Sequence, residues 1–332
     1  MGNKETLNIS IMDKVLAPVK NDLAEFNRHF KVSMKSHVRL LDIATSFILK
    51  QKGKKIRPTL VLLTASLCGG INPRTHRGAV MVELLHTATL VHDDVVDQAD
   101  KRRGFPSINA IWKNKASVLI GDYLLSKGLM LSVSSKDYDF LETITDTVKR
   151  MSEGELLQLE KTRKLDIDEE TYFKVISDKT ASLIETCCYI GALSATENQD
   201  FRNNAKRFGS LLGLSFQIKD DILDYEGTTK LFGKPIGGDI KEKKITLPLI
   251  YAMQNAGAAE SKKIIKQIKG ISQKDNVDSI IQFVKSNNGL KMAQEKAVEL
   301  ASQAKELLKI FPSSEYRESL EYLVDFVVSR KS

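Results

Sequence analysis

Cysteine is scarce in this chain of 332 residues, and its placement is unhelpful for cross-linking. Cys68, Cys187 and Cys188 show neither metal-ligand nor redox spacing, and two of them are adjacent. That excludes a disulfide scaffold and predicts a reduced, cytoplasmic setting. Long uncharged apolar runs are also missing: none approaches the ~18 residues of a membrane span. The opening MGNKETLNIS has no apolar core of a secretory signal. Gly2 and Thr6 do fit the myristoylation pattern, but that pattern is short and permissive. Alternating strand patterns, low-complexity linkers and fixed-period repeats are absent as well. The net charge is +8, yet acids and bases are interspersed and no basic tail carries interleaved aromatics. That argues against nucleic acid and for small anions held at local sites.

What is abundant is helical periodicity. Met12, Val15, Leu16, Val19, Leu23, Phe26 and Phe30 recur at three- and four-residue steps. Leu40, Leu41, Ala44, Phe47 and Ile48 do the same. Further helices are predicted over 57–68, 74–99, 116–135, 137–160, 168–195, 199–225, 246–270, 275–309 and 313–330. Breakers separate them: Gly69-Gly70, Gly104 with Pro106, and EGTTKLFGKPIGGD at 226–239. The expectation is an all-α fold, one domain over 1–332, built as a large bundle around an apolar interior.

Two of these helices end in acid. LVHDDVVDQADKRRG carries Asp93, Asp94 and Asp97, and FQIKDDILDYEG repeats the pattern as Asp220, Asp221 and Asp224. Residues four apart sit about 40° apart on one helix face and about 6 Å along it, so like charges there repel. One such cluster is ordinarily a solvated helix end. Two of them ask for a cation, and carboxylate pairs suit Mg²⁺, which takes one or two carboxylates plus substrate phosphates. A calcium loop does not fit, because neither cluster has the required acidic-glycine alternation.

Cations gather nearby. GKKIRP places Lys54, Lys55 and Arg57 at a helix start, a place that favours anions on its own account. Arg102 and Arg103 follow the first acidic helix, and Lys179 precedes Thr180 in ISDKTASL. Lys234 lies in glycine-rich FGKPIGGD and Lys244 in KEKKITLP. Lysines beside glycine-exposed amides hold phosphate, although a single lysine is ordinarily a solvated surface charge. His86 precedes Asp93 by seven residues and so returns to within about 20° of it. Glu83 and His86 also spell the Glu-x-x-His of di-iron bundles, but no other histidine supplies the second copy such sites need. The residues therefore describe a bundle with two carboxylate sites and several anion sites around an apolar interior. That suits a substrate with a diphosphate head and a hydrocarbon tail.

From GKKIRP to DIKEKKITLPLI the chain resembles the trans-isoprenyl diphosphate synthases, above all the long-chain all-trans-polyprenyl diphosphate synthases. ELLHTATLVHDDVVDQADKRRG and KDDILD carry the likeness, and the pair at this separation is highly specific. The resemblance implies two or three Mg²⁺ ions. Asp93 and Asp97 on one side, with Asp220 and Asp224 on the other, hold them against an allylic diphosphate, and Asp94 and Asp221 support them. It implies that Arg102, Lys179, Lys234 and Lys244 contact the same diphosphate. Lys54, Arg57, His86 and Arg103 then hold isopentenyl diphosphate, while Thr180 and Gln217 turn their oxygens toward the allylic cation. Asp93, Asp97, Lys179, Thr180, Gln217 and Asp220 are the catalytic set. Ala88 and Thr89, five and four residues before Asp93, are the expected chain-length positions. The helical wheel favours Thr89 and the family pattern favours Ala88 as the residue that, if enlarged, blocks the tail. One departure is Lys243-Lys244, where a small residue is expected before the lysine. The resemblance also implies a homodimer and a product delivered to the membrane. Two other readings stand beside it. A class I terpene cyclase differs in its second metal motif and has no second diphosphate site. A non-catalytic subunit of a heteromeric synthase ordinarily has broken acidic motifs.

Overall fold

The structure, a computed structural model, describes residues 10–51, 53–102, 104–226, 237–270 and 274–330. Helices dominate. The chain opens with α1 (Ile11–Leu16), started by Ser10 in a capping box with Asp13. Pro18 then forces a short 3₁₀ turn over Ala17–Val19, so the apolar period through Phe30 is split before α2 (Lys20–Ser33). Next come α3 (Arg39–Lys50), α4 (Ile56–Cys68) and α5 (Pro73–Val96). Asn72 caps α5 through the amides of Arg74 and Thr75, with Pro73 at the first turn where no N–H is needed.

A two-residue ladder pairs Lys101–Arg102 with Phe105–Pro106 and turns the chain into α6 (Ile108–Ser135). This helix begins eight residues before the predicted 116, because Ser107 supplies an N-cap to Ala110. It is also long and apolar enough, by length and composition, to cross a membrane. Lys113, with φ 65° and ψ 168°, breaks its regular path. There follow α7 (Tyr138–Lys164), α8 (Glu169–Ile176), a π-helical turn at Ser177–Ala181, α9 (Ser182–Ala195) and α10 (Gln199–Glu226).

The C-terminal part holds α11 (Gly238–Lys241), α12 (Leu247–Ala256), α13 (Ala258–Lys269), α14 (Lys274–Ser286), α15 (Gly289–Leu308) and α16 (Glu315–Ser329). Two long predicted helices are thus each cut in two. Gly257 at φ 81° ends one, and Asn288 at φ 57° ends the other, both in the left-handed half of backbone space that stops a helix.

The core has two parts. The larger gathers buried residues of α4, α5 and α9, such as Leu62, Leu84 and Ile190, with Phe26, Phe140 and Phe208 from their neighbours. The smaller joins the end of α10 (Ile218, Ile222, Tyr225) to α12, α14 and α15. Since α10 runs through both, its acidic end emerges beside the second part. All three cysteines are buried and free, and burial pushes each thiol up from its ordinary value. That leaves them in the inert thiol form.

Candidate active site

Both acidic clusters sit at helix C-termini, the negative pole of the macrodipole, where a cation is favoured. At the end of α5, Asp93 faces a cavity of about 500 Å³. Its wall includes Arg57, His86, Thr89 and Leu90, with Met151, Glu155, Lys179, Thr180 and Leu183 opposite. Burial raises the Asp93 carboxyl to about 6; Lys179 opposes that rise and Glu155 adds to it. Asp97, exposed, follows one turn later as the C-cap, its N–H donating to the Asp93 carbonyl at 2.8 Å. The helix stops at Val96 rather than at the predicted 99, yet the two carboxylates keep their one-turn spacing.

Asp94 behaves differently. It is 2% exposed, accepts from Arg102 Nε at 2.6 Å, and lines a second cavity with Lys55, Glu83 and His86. Arg102 is therefore brought to Asp94 and not to the cavity that Asp93 faces.

Of the three cations at the start of α4, Arg57 is the one bonded to His86. Arg57 Nη1 stands 2.9 Å from His86 Nε2. Lys54 is exposed, with its ammonium 5.1 Å from the centre of the Phe326 ring. Lys55, at φ 51° on the N-cap of α4, pairs with Glu83 at 3.2 Å.

The π-helical turn supplies the other side. Its extra residue lets Lys179 and Thr180 both face inward, and such turns recur at functional sites. It is locked by Arg150, which donates from Nε to Asp178 Oδ1 at 3.0 Å and from Nη1 to Glu185 Oε1 at 3.1 Å. Lys179 lies between Glu155 at 2.5 Å and Gln158 Oε1 at 2.6 Å. Gly154 of α7 and Gly213 of α10 press against the turn, where an added Cβ would meet Lys179 N at 2.7 Å and Ala181 Cα at 2.6 Å.

Lys179 and Thr180 also line a third cavity, together with Gln217, Asp221, Asp239, Lys244 and Thr246. Here a polar chain runs through the wall. Thr180 Oγ1 donates to Gln217 Oε1 at 2.9 Å, and Gln217 Nε2 donates to Asp221 Oδ1 at 2.7 Å. Tyr172 donates its hydroxyl to Asp221 Oδ2 at 2.6 Å. Asp221 is buried, and burial together with the charge of Asp239 raises its carboxyl well above the ordinary range. Asp224 accepts from the backbone amides of Gly238 and Asp239 at 3.1 and 3.0 Å. Asp220 pairs with Arg330 at 2.6 Å. Lys244, bonded to Glu242, is also within electrostatic reach of Asp239 and Asp97. Burial alone lowers its ammonium, but these three carboxylates outweigh burial and raise it.

Arg103 and Lys234 lie outside the described residues. The two chain-length positions separate. Thr89 is on the wall of the Asp93 cavity, its hydroxyl donating to the His86 carbonyl at 2.9 Å. Ala88 is 1% exposed, packed in the core and not on that wall. The cause is the 100° step between helix neighbours. The rotation argument agrees with this placement of Thr89 on the cavity wall, and product length is what decides between the two positions.

Sequence reasoning missed Glu155, Gln158, Arg150, Tyr172 and Arg330. Each acts across helices on a partner far away in the chain, and none belongs to a local motif. For Arg150, Glu155 and Gln158 a local signal existed in the dense polarity of α7 beside an apolar cavity; for Tyr172 and Arg330 there was none.

Among the described residues no three His, Cys, Asp or Glu side chains converge as a closed metal site. Two carboxylates per helix end are what is offered, with the rest left to water and substrate oxygens, which fits Mg²⁺. The fold and this site define a class: an all-α bundle whose acidic helix ends and lysines stand above an apolar wall, an arrangement suited to a charged head with an apolar tail.

The comparisons identify the family. A family model described as polyprenyl synthetase matches residues 38–286, and the chain belongs to that family. It is 35% identical over 97% of its length to the all-trans-nonaprenyl-diphosphate synthase (geranyl-diphosphate specific) of Rhodobacter capsulatus, covering 99% of that protein. It is 32% identical over 96% of its length to the octaprenyl diphosphate synthase of Escherichia coli, covering 99% of it. A crystal structure of polyprenyl synthase from Caulobacter crescentus, complexed with calcium and isoprenyl diphosphate, superposes with a TM-score of 0.90 at 33% identity. That alignment covers 97% of this chain and 98% of the other. The chain is a prenyltransferase with the all-α isoprenoid synthase fold.

Proposed function

We propose that this enzyme condenses isopentenyl diphosphate with an allylic diphosphate, such as farnesyl or geranylgeranyl diphosphate, to build a long all-trans polyprenyl diphosphate. One observation carries the reading. Lys179 and Thr180 stand on the shared wall of two cavities, one holding Asp93, Arg57 and His86 and the other Asp221, Asp239 and Lys244. Two anionic heads can thus meet beside one apolar wall.

In this reading Asp93, Asp97, Asp220 and Asp224 hold two or three Mg²⁺ ions, while Asp94 and Asp221 act through Arg102 and through Tyr172 and Gln217 to hold the helix ends in place. The chemistry Mg²⁺ supplies when bound is neutralisation of the charge growing on the departing diphosphate. Lys179, Lys234 and Lys244 bind and orient the allylic diphosphate. Lys54, Arg57, Arg103 and His86 hold the isopentenyl diphosphate. Gln217 is fixed by its hydrogen bonds to Thr180 and Asp221, which keeps amide and hydroxyl oxygens near the carbon that becomes cationic. Leu90, Met151, Leu156, Leu159 and Leu183 exclude the water that would quench it. The isopentenyl double bond attacks, and the proton lost from its carbon passes to the released diphosphate.

The residues from 1 to 332 form one catalytic domain, working in the cytoplasm, and the long apolar product passes to a membrane. A second copy covers the outer face of α6. Ile111, Val118, Leu119, Met130 and Val133 are all exposed there at helical spacing. Sedimentation at micromolar concentration should give a dimer, and the double change Leu119→Lys and Met130→Lys should give a monomer.

The activity test is the purified chain with farnesyl diphosphate, isopentenyl diphosphate and Mg²⁺, its products read by mass spectrometry. A ladder of added isoprene units is expected. Turnover without isopentenyl diphosphate would mean a cyclase. No turnover from the chain alone would mean a subunit that needs a partner.

A further inference from the structure

The C-terminal end of α16 reaches back onto the second acidic helix. Arg330 donates from Nη2 to Asp220 Oδ1 at 2.6 Å and to the Phe216 carbonyl at 2.9 Å. Its guanidinium carbon sits 4.1 Å from the centre of the Phe216 ring, and its side chain is only 10% exposed. Asp220 keeps 41% of its side chain exposed to solvent.

We propose that Arg330 is a positioning residue that holds Asp220 in place of a divalent cation, so that metal binding there and docking of the end of α16 oppose each other. This rests on the reading of Asp220 as a Mg²⁺ ligand. Three features support it. Arg330 Nε is buried with no hydrogen-bond partner, so docking is already incompletely satisfied and depends on the Asp220 charge. Lys219, bonded through Nζ to Gln294 Oε1 at 2.8 Å, adds a like charge close to Arg330. A divalent ion on the same carboxylate adds two more positive charges within a few ångströms of a guanidinium that is only 10% exposed.

The release has a second consequence. One turn before Arg330, Phe326 presents its ring to Lys54. Undocking the end of α16 therefore frees Lys54 from its aromatic platform. Filling the Asp220 end readies a residue of the isopentenyl diphosphate site. By linkage, whatever factor the metal takes from Arg330 docking, Arg330 takes from metal affinity.

The experiment uses the full chain with inorganic pyrophosphate held constant and Mn²⁺ as probe. Free Mn²⁺ is counted by electron paramagnetic resonance, and hydrogen exchange is followed in peptides covering residues 320–330. Arg330→Gln should bind Mn²⁺ about five- to tenfold more tightly than the unaltered chain, and Asp220→Asn should bind it more weakly. Adding Mn²⁺ to the unaltered chain should speed exchange at the end of α16, a readout that needs no variant to fold. The proposal falls if Arg330→Gln binds Mn²⁺ equally or less well, or if Mn²⁺ leaves or increases the protection of that segment. If those results come with weakened binding in Asp220→Asn, the metal assignment stands and only the competition is lost. If Asp220→Asn binds as the unaltered chain does, both are lost.

Discussion

The two acidic helix ends share a letter pattern and differ in wiring. In each, the middle aspartate is buried and committed to the protein, Asp94 to Arg102 and Asp221 to Tyr172 and Gln217. The outer pairs diverge. At the end of α5, Asp93 faces a cavity and Asp97 is exposed. At the end of α10, Asp220 is held by Arg330, and Asp224 anchors the amides that start α11. The first end presents Asp93 to a cavity, and at the second Asp220 and Asp224 are already engaged with the protein. A spacing rule thus says where carboxylates stand but not what they already hold.

The largest expected effect tests whether both ends serve one reaction. Asp93→Ala and Asp220→Ala should each lower kcat by about 10²–10³-fold, and EDTA should abolish turnover. If either variant kept full activity, the two ends would not be equivalent in catalysis.

The next concerns the buried middle residues. Asp221→Ala strips Tyr172 and Gln217 of their acceptor and should cost about 1–3 kcal/mol of stability. Asp97→Ala, at an exposed cap, should leave Tm unchanged. Thermal unfolding of the two side by side sharpens the contrast.

A third prediction uses pH. Asp93 titrates at about 6 in the fold, against about 3.9 in an unfolded chain. Between those values the unfolded chain loses its proton first, so rising pH destabilises the metal-free protein; above about 6 the cost is constant. Asp93→Asn should therefore stabilise it by on the order of 1–2 kcal/mol at pH 7, and by nothing near pH 3. Denaturant melts at the two pH values measure it, and an equal gain at both would refute the buried-charge account.

Fourth, the cations should split by substrate. Arg57→Ala should raise KM for isopentenyl diphosphate about tenfold, with little change for the primer, and Lys244→Ala should do the reverse. Equal shifts would merge the two sites into one.

The smallest change is in product length. Thr89→Phe places a ring in the Asp93 cavity and should shorten products by a few isoprene units, as read by mass spectrometry. Ala88→Phe should instead overpack the core and lower Tm, by about 1–3 kcal/mol of stability. Shorter products from Ala88→Phe at unchanged Tm would show that the tail runs along the other face of α5.

Much of this was legible in the sequence, and for definite reasons. Long apolar periods gave α5, α7 and α10 nearly in place, because burial on one face writes a 3.6-residue rhythm. Splits were missed at Pro18, Gly257 and Asn288, where a single residue decides the backbone against a continuous apolar pattern. In the site, the common face of His86, Asp93 and Asp97 was legible because residues one or two turns apart share a side of the helix, whereas Arg57, Lys179, Thr180 and Gln217 were placed in the site through the resemblance to a known family and not through spacing. Arg330, Tyr172 and Arg150 were not found, because their partners are 110, 49 and 28 residues away in the chain, and no local spacing encodes such a meeting. Which oxygens of Asp94 and Asp221 are already taken is likewise a fact of packing.

The π-helical turn at Ser177–Ala181 has a consequence for how this site tolerates change in chain length. Deleting one residue there would restore an ordinary helix, and helix propensity would favour the shorter version. The helices on either side would keep their mutual register, because the wide turn absorbs the extra residue, but Lys179 and Thr180 would shift by about 100° within it and could no longer serve both cavities. Gly154 and Gly213 leave room for the wide turn and would leave a gap beside the narrow one. The segment is therefore a frame in which a single missing codon would give a well-folded helix and a silent enzyme.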